Sequence, residues 1–379
     1  MIRTTQDNQG RHAVSKNTEP TDRHALIAGV SGIVGRHLAE HLIATEGWRV
    51  TGISRRKHDL PKGVEHVAVD LQVGEDLKAA LKHADVTDVF ISAWLRQPTE
   101  AENCRVNAGM VRNLLHAVEG KNIKHVALVT GAKHYMGPFE AYGKTEVMTP
   151  FREEQARLPY QNFYYDQEDE VFAAAQRQGF TWSVHRPHTL IGYAVGNQMN
   201  MAATLGAYAA ICKETGRPFV FPGSPQQYDA VVDITDGRII AKHLLWAATK
   251  PAAQNNAFNI VNGEVFRWNW MWPKLAEHLG VDAAEYPGHA QPLEQQMAGM
   301  EPVWDKIVTK HALQKNPLNG VASWWHSDAD LGRVIENFND MTKSRDMGFT
   351  AYQNSVRSFA DAFDMLRTAK VLPLGGPGE

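Results

Sequence analysis

From residue 24 onward, short apolar runs alternate with stretches in which apolar residues recur every three or four positions. The run HALIA at 24–28 predicts a strand. Residues 33–45 predict a helix with Ile33, Val34, Leu38 and Leu42 on one face, stopped near Gly47. Further strands are predicted at 49–54, 64–69, 86–92, 125–130 and 181–186, the last ended by Pro187. Helices fall between them at 111–118 and 162–178. This alternation is the pattern of βαβ units: an α/β fold with a doubly wound, Rossmann-type parallel sheet covered on both faces. Beyond Thr189 the pattern breaks into separated helices among Pro, Gly and Trp residues, which predicts a smaller, mostly helical lobe. The expected division is a disordered polar tail at 1–22, a sheet-bearing core at 23–190 and a lobe at 191–379. Segments near 230–262 of that lobe are free to return to the core.

Composition narrows the classes. With 379 residues, 43% apolar and 21% charged, the chain is of ordinary globular make-up. A formal charge of −3 offers no long-range attraction to nucleic acid or anionic membrane. No run of about 18 apolar residues is present, and residues 1–22 lack the apolar stretch of a signal peptide. Cys104 and Cys212, the two cysteines, make neither a disulfide framework nor a zinc site, so a reducing cytoplasm is expected. His37 and His41 stand four apart on the first helix, but no third ligand follows. They are read as a solvated face, with no metal. Trp268, Trp270, Trp272, Trp304, Trp324 and Trp325 lack interleaved basic residues and are read as packing in the smaller lobe.

The first chemical signal is Gly29-Val30-Ser31-Gly32-Ile33-Val34-Gly35. A glycine-rich heptad alone says little, but this one leaves an apolar strand and opens an amphipathic helix in the first βα unit. There glycine serves a tight turn, close backbone approach to a pyrophosphate, and close helix–strand packing. The helix N-terminus adds free N–H groups and a partial positive charge. The second strand ends in Ser54-Arg55-Arg56, where an NAD-binding fold tends to carry an acid; Asp59 comes only later. Two guanidiniums and a hydroxyl suit a 2′-phosphate, so NADPH/NADP+ is the expected cofactor. Asp70-Leu71, ending the third strand, is placed to meet the adenine edge, although a helix N-cap would look the same.

A Tyr with Lys four residues on, common in short-chain dehydrogenases, is missing at all ten tyrosines: Glu168 follows Tyr164 and Asp169 follows Tyr165. Two other segments carry the needed groups, TGAKHYMGPFE at 130–140 and NFYYDQED at 162–169. With SVHRP at 183–187, YAAICK at 208–213, FPGS at 221–224, FNIVNG at 258–263, EPVW at 301–304 and KSRDMGF at 343–349, they span nearly everything but the tail. In these motifs the chain resembles the progesterone 5β-reductase/iridoid synthase-like enone reductases, an atypical short-chain dehydrogenase family. The resemblance implies NADPH-dependent 1,4-reduction of enones or enals, with Lys133 and Tyr165 catalytic. The substrate side is expected to include Trp94, Tyr135, His188, Asn200 and Phe349. His188-Thr189-Leu190 and Ala132 depart from what relatives commonly carry, which leaves pocket shape and substrate open. The expected partner is a small enone or enal, with neither nucleic acid nor membrane, and a homodimer stays open. Two alternatives stand beside this reading: a carbonyl reductase or epimerase/dehydratase on the same scaffold, and a non-catalytic NADP-binding redox sensor.

Overall fold

In the computed structural model, residues 22–56, 60–138, 147–196 and 199–374 are described. Residues 1–21 of the tail, Asp59 and the Phe139-Glu140 end of the first resemblance motif lie outside them. The main sheet is built from β1 (Arg23–Ala28), β2 (Trp48–Ser54), β3 (Val64–Ala68), β4 (Asp88–Ile91), β5 (His125–Val129), β6 (Thr181–Pro187) and β9 (Asn256–Ile260). Its order is β3-β2-β1-β4-β5-β6-β9, and every pair is parallel. Two short strands, β7 (Leu190–Ile191) and β8 (Thr235–Asp236), pair separately. Strand order reverses between β1 and β4, which opens a crevice at the carboxyl ends of the strands.

The period-two pattern explains the layers. In β1, Ala25 and Ile27 face one core with Leu38 and Leu42 of α1 (Ile33–Ile43) and Ile240 and Leu244 of the helix Gly237–Thr249. Leu26 and Ala28 face the other core. There Leu77 of α2 (Gly74–Ala80), Val111 and Leu114 of α3 (Glu100–Ala117) and Val171 of a later helix close over them. Each such buried Leu contributes about 2–5 kcal/mol against truncation to Ala.

Helix α3 starts well before the expected 111 because its first half is polar yet buried. Thr99 caps it by accepting from Glu102 N, and Asn103 and Asn107 accept from Gln97 N and Leu95 N through their side-chain oxygens. Those bonds fix the β4–α3 loop, and with it Trp94. Residues 230–233 do not join the main sheet: Val232 makes only isolated bridges to Phe266 and Asn337. Asn256–Ile260 does join it, beside β6.

The smaller lobe has its own core, in which Trp272 stacks on Phe219 at 4.3 Å and Trp268 and Trp304 are buried. Trp270 is 50% exposed, and Trp325 is half-buried with the Arg96 guanidinium over its ring at 3.7 Å. His37 corrects the expectation of a solvated face. It is buried, accepts from Tyr193 N at 3.2 Å, and fills the space above Gly237, where a β-carbon would stand 2.2 Å from its ring. No metal-holding cluster occurs among the described residues. None of their helices is long and apolar enough to cross a membrane.

A chain of buried histidines crosses the core. His125 Nε2 bonds Ser183 Oγ at 2.9 Å, Ser183 Oγ bonds His185 Nε2 at 2.8 Å, and His185 Nδ1 bonds His243 Nδ1 at 2.8 Å. Desolvation pushes all three imidazoles down, His125 and His243 to about 3. In the unfolded chain they titrate near about 6.5, so below that pH the unfolded state binds more protons. Their contribution is complete above about 6.5 and is lost progressively as pH falls toward the folded values. The urea midpoint is therefore expected to drop between pH 7.5 and 5, less steeply in His243→Gln; a midpoint flat with pH contradicts this.

Candidate active site

The crevice is a cleft of about 480 Å³. At one end it is lined by Gly29, Ser31, Gly32, Ile33 and Val34 from the β1–α1 turn. Gly29 has φ +89°, and a β-carbon there would stand 2.9 Å from Ala93 N, so this turn requires glycine. Gly35 does not line the cleft. A β-carbon on it would come within 2.3 Å of Gly29 O, so this glycine seats α1 against β1. Helix α1 begins at Gly32 with no side-chain cap and no acid in its first turn. Its first amides and their partial positive charge consequently open into the cleft.

Ser54, Arg55 and Arg56 line the adjoining edge. The Ser54 hydroxyl donates to Arg56 O at 2.8 Å and bonds His66 Nε2 at 2.8 Å, which holds the turn. Both arginines are exposed there. Asp70 and Leu71 also line this end. Asp70 Oδ1 accepts from Gln72 N at 2.9 Å in a local turn, and the N-cap of α2 is Val73 instead. An uncapped helix start and a glycine turn without room for side chains together fit the pyrophosphate of a dinucleotide.

At the other end the cleft is lined by Thr130, Gly131 and Ala132 beyond β5, then Lys133 at the start of the single turn α4 (Lys133–Met136). Lys133 Nζ lies 5.2 Å from the Phe163 ring centre and 6.0 Å from that of Trp94. Trp94 itself lines the cleft and stacks on Phe163 at 5.2 Å. The tyrosine beside Lys133 in the cleft is Tyr164, in the first turn of α5 (Phe163–Gln178). Its hydroxyl lies against Gly131, where a β-carbon would stand 3.1 Å from it. One side chain ties the two elements together: Asn162 accepts from Tyr164 N at 3.1 Å and donates to Lys133 O at 2.8 Å.

This corrects the expectation for Tyr165. Successive helical residues point about 100° apart, so adjacent tyrosines cannot share a face. Tyr165 turns inward, donates to His134 O at 2.6 Å and accepts from Leu158 N at 3.0 Å. Burial pushes its phenol pKa up, and the Arg157 guanidinium covers its ring at 4.9 Å.

The five substrate-side expectations also divide. Trp94 and His188 line the cleft, together with Ala132, Thr189 and Leu190. Tyr135, Asn200 and Phe349 do not. Tyr135 is buried, its hydroxyl donating to Asn259 Oδ1 at 2.5 Å and accepting from Arg186 at 3.1 Å. Asn200 caps α6 (Met201–Thr215) and donates to Gly192 O and Ala194 O. Phe349 packs edge-on to His243 at 4.5 Å in the core behind the sheet. Sequence reasoning missed His326, Asp330 and Arg333, which line the cleft from the smaller lobe. Only the i, i+4 spacing of His326 and Asp330 hinted at a shared polar face.

The description "PRISE-like Rossmann-fold domain" matches residues 61–373. The chain is 40% identical over 363 residues to the (S)-8-oxocitronellyl enol synthase ISY1 of Nepeta cataria, covering 92% of this chain and 93% of that protein. It is 38% identical over 361 residues to the 3-oxo-Delta(4,5)-steroid 5-beta-reductase of Arabidopsis thaliana, again covering 92% and 93%. Among solved structures, the Bordetella bronchiseptica enzyme WbmH in complex with NAD+ shares the fold at 14% identity and a TM-score of 0.63, covering 91% of this chain and 98% of that one. With a parallel Rossmann sheet, this cleft and that extent of likeness, the chain belongs to the PRISE-like Rossmann-fold family.

Proposed function

We propose that this oxidoreductase uses NADPH to reduce the C=C bond of a small enone or enal, with Tyr164 and Lys133 as its catalytic residues. The observation that carries the reading is the convergence of Lys133 and Tyr164 in the cleft that also holds the glycine turn and the two arginines. The amides of Gly32 to Val34 would hold the pyrophosphate, and Arg55 and Arg56 the 2′-phosphate. A reduced nicotinamide bound there supplies a hydride. When the β-carbon of an enone accepts it, negative charge moves to the conjugated oxygen. Tyr164 donates a hydrogen bond to that oxygen, and the Lys133 ammonium stabilises both the developing charge and the ionised form of the phenol. Lys133 lies beside Phe163 and Trp94, where water is scarce and a charge acts more strongly than in bulk solvent. A solvent proton at the α-carbon completes the saturated carbonyl compound.

Asn162 acts as a positioning residue, because one amide sets both the start of α5 and the backbone of Lys133. The names of the relatives, an enol synthase and a steroid 5-beta-reductase, agree with reduction next to a carbonyl. Both cysteines are free and buried, which suits a reducing compartment such as the cytoplasm. Cyclohexenone should be consumed with NADPH to give cyclohexanone, while cyclohexanone offered as substrate should not be reduced. Reduction of cyclohexanone at a comparable rate would make the protein a carbonyl reductase instead.

A further inference from the structure

The wall facing Lys133 is formed by the helix Trp324–Leu331 and the residues just after it, and it is unexpectedly polar. Most of its groups satisfy one another. His188 donates from Nδ1 to Asp233 Oδ1 at 2.8 Å, and its Nε2 accepts from Arg333 Nη1 at 2.7 Å and Asn337 Nδ2 at 2.8 Å. Two acceptances at Nε2 fix the neutral Nδ1–H tautomer. Asp330 accepts from Thr189 Oγ1 at 2.9 Å and pairs with Arg333. Each of these groups is thereby locked in place.

Two nitrogens remain over. His326 Nδ1 and Arg333 Nε are buried and have no hydrogen-bond partner among the described residues, and both residues line the cleft. A buried, unsatisfied polar nitrogen costs about 1–3 kcal/mol, so two on one wall call for a partner that arrives with a ligand. The local charge says what kind of partner. The ions acting on His326 are Arg333, Arg96 and Lys133 against the single carboxylate of Asp330. Burial first, and those cations with it, push the imidazole's pKa down, and in its Nδ1–H tautomer it would offer a donor to a ligand in that positive field.

We propose that this wall receives a carboxylate carried by the substrate, remote from the reacting alkene, with His326 and Arg333 as its specificity-determining residues. The inference rests on the enone-reducing reading of the cleft. The enone oxygen is directed to Tyr164 and Lys133 on the sheet side, and the carboxylate to His326 on the lobe side, so the anion also sets which way round the substrate lies. A neutral ester of the same shape keeps a carbonyl acceptor but lacks the negative charge that the positive field favours, and would be bound less well.

The test compares 6-oxohept-4-enoate, its methyl ester and 3-octen-2-one at saturating NADPH. For the unaltered protein, kcat/KM is expected to favour the carboxylate over the ester by about tenfold or more. His326→Phe should bring the ratio of acid to ester kcat/KM down to about one, with a smaller change for 3-octen-2-one than for the acid. His326→Asn, whose amide reaches the Nδ1 position, should retain part of the preference. Equal kcat/KM for acid and ester in the unaltered protein overturns the proposal. So does a loss in His326→Phe shared equally by all three compounds, or one that appears in NADPH affinity. If even 3-octen-2-one is not reduced, the enone reading is what fails, and the anion site is then read by titrating 6-oxoheptanoate into the NADP+-loaded protein. Binding that is lost in His326→Phe supports the site, and absence of binding to the unaltered protein refutes it.

Discussion

Replacing Tyr164 with Phe is expected to lower cyclohexenone turnover by about a hundredfold or more, with NADPH affinity unchanged. The ring stays against Gly131 and only the hydroxyl that meets the developing charge is removed. Lys133→Ala should cost a similar factor, and the double variant little more than either single one, since the two groups act on one oxygen. Tyr165→Phe should separate the neighbouring tyrosines. That hydroxyl bonds His134 O and Leu158 N, so its loss should cost about 1–3 kcal/mol of stability and leave a buried N–H unpaired. Below its lowered melting temperature, turnover should stay within a few-fold of normal. A hundredfold loss of turnover in Tyr165→Phe with none in Tyr164→Phe would reverse the assignment.

The second large effect is expected at the cofactor's far end. Arg55 and Arg56 are exposed at the edge of the cleft beyond β2, a strand end with no acid among its described residues, while Asp70, at the end of β3, accepts from Gln72 N. The unaltered protein should bind NADPH at least about tenfold more tightly than NADH, about 1.4 kcal/mol. Arg55→Ala combined with Arg56→Ala should remove most of that gap by weakening NADPH alone. Because both side chains lie at the surface, the change should barely move the melting temperature. Calorimetric titration in which NADH binds the unaltered protein as well as NADPH does would contradict the 2′-phosphate site.

The sheet was legible because its signals are local. Apolar runs such as HALIA and glycines forced by a close approach leave the same trace wherever they sit in a chain. Helix α3 was half hidden because Asn103 and Asn107 bury polar side chains to hold a loop, and periodicity reads such positions as exposed. His37 misled for the same reason. In the site, the lysine and the tyrosine pair were legible as motifs, but which tyrosine faces the cleft depends on a rotation of about 100°. That rotation is set by the Asn162 cap and by Arg157 over Tyr165, neither of which periodicity weighs. Tyr135 and Phe349 look like pocket aromatics in sequence, yet Arg186 and His243 draw them into the interior. The wall of His326, Asp330 and Arg333 left only the i, i+4 spacing of His326 and Asp330 in the sequence, because its partners His188 and Thr189 are more than a hundred residues away in the chain.

The position to which the hydride goes tests the central claim most directly, since Tyr164 and Lys133 would stabilise an oxygen in either 1,4- or 1,2-reduction. Cyclohexenone reduced with deuteride-labelled NADPH should give cyclohexanone with deuterium at the β-carbon and the carbonyl intact. Deuterium at the carbonyl carbon, in an allylic alcohol as the main product, would contradict it.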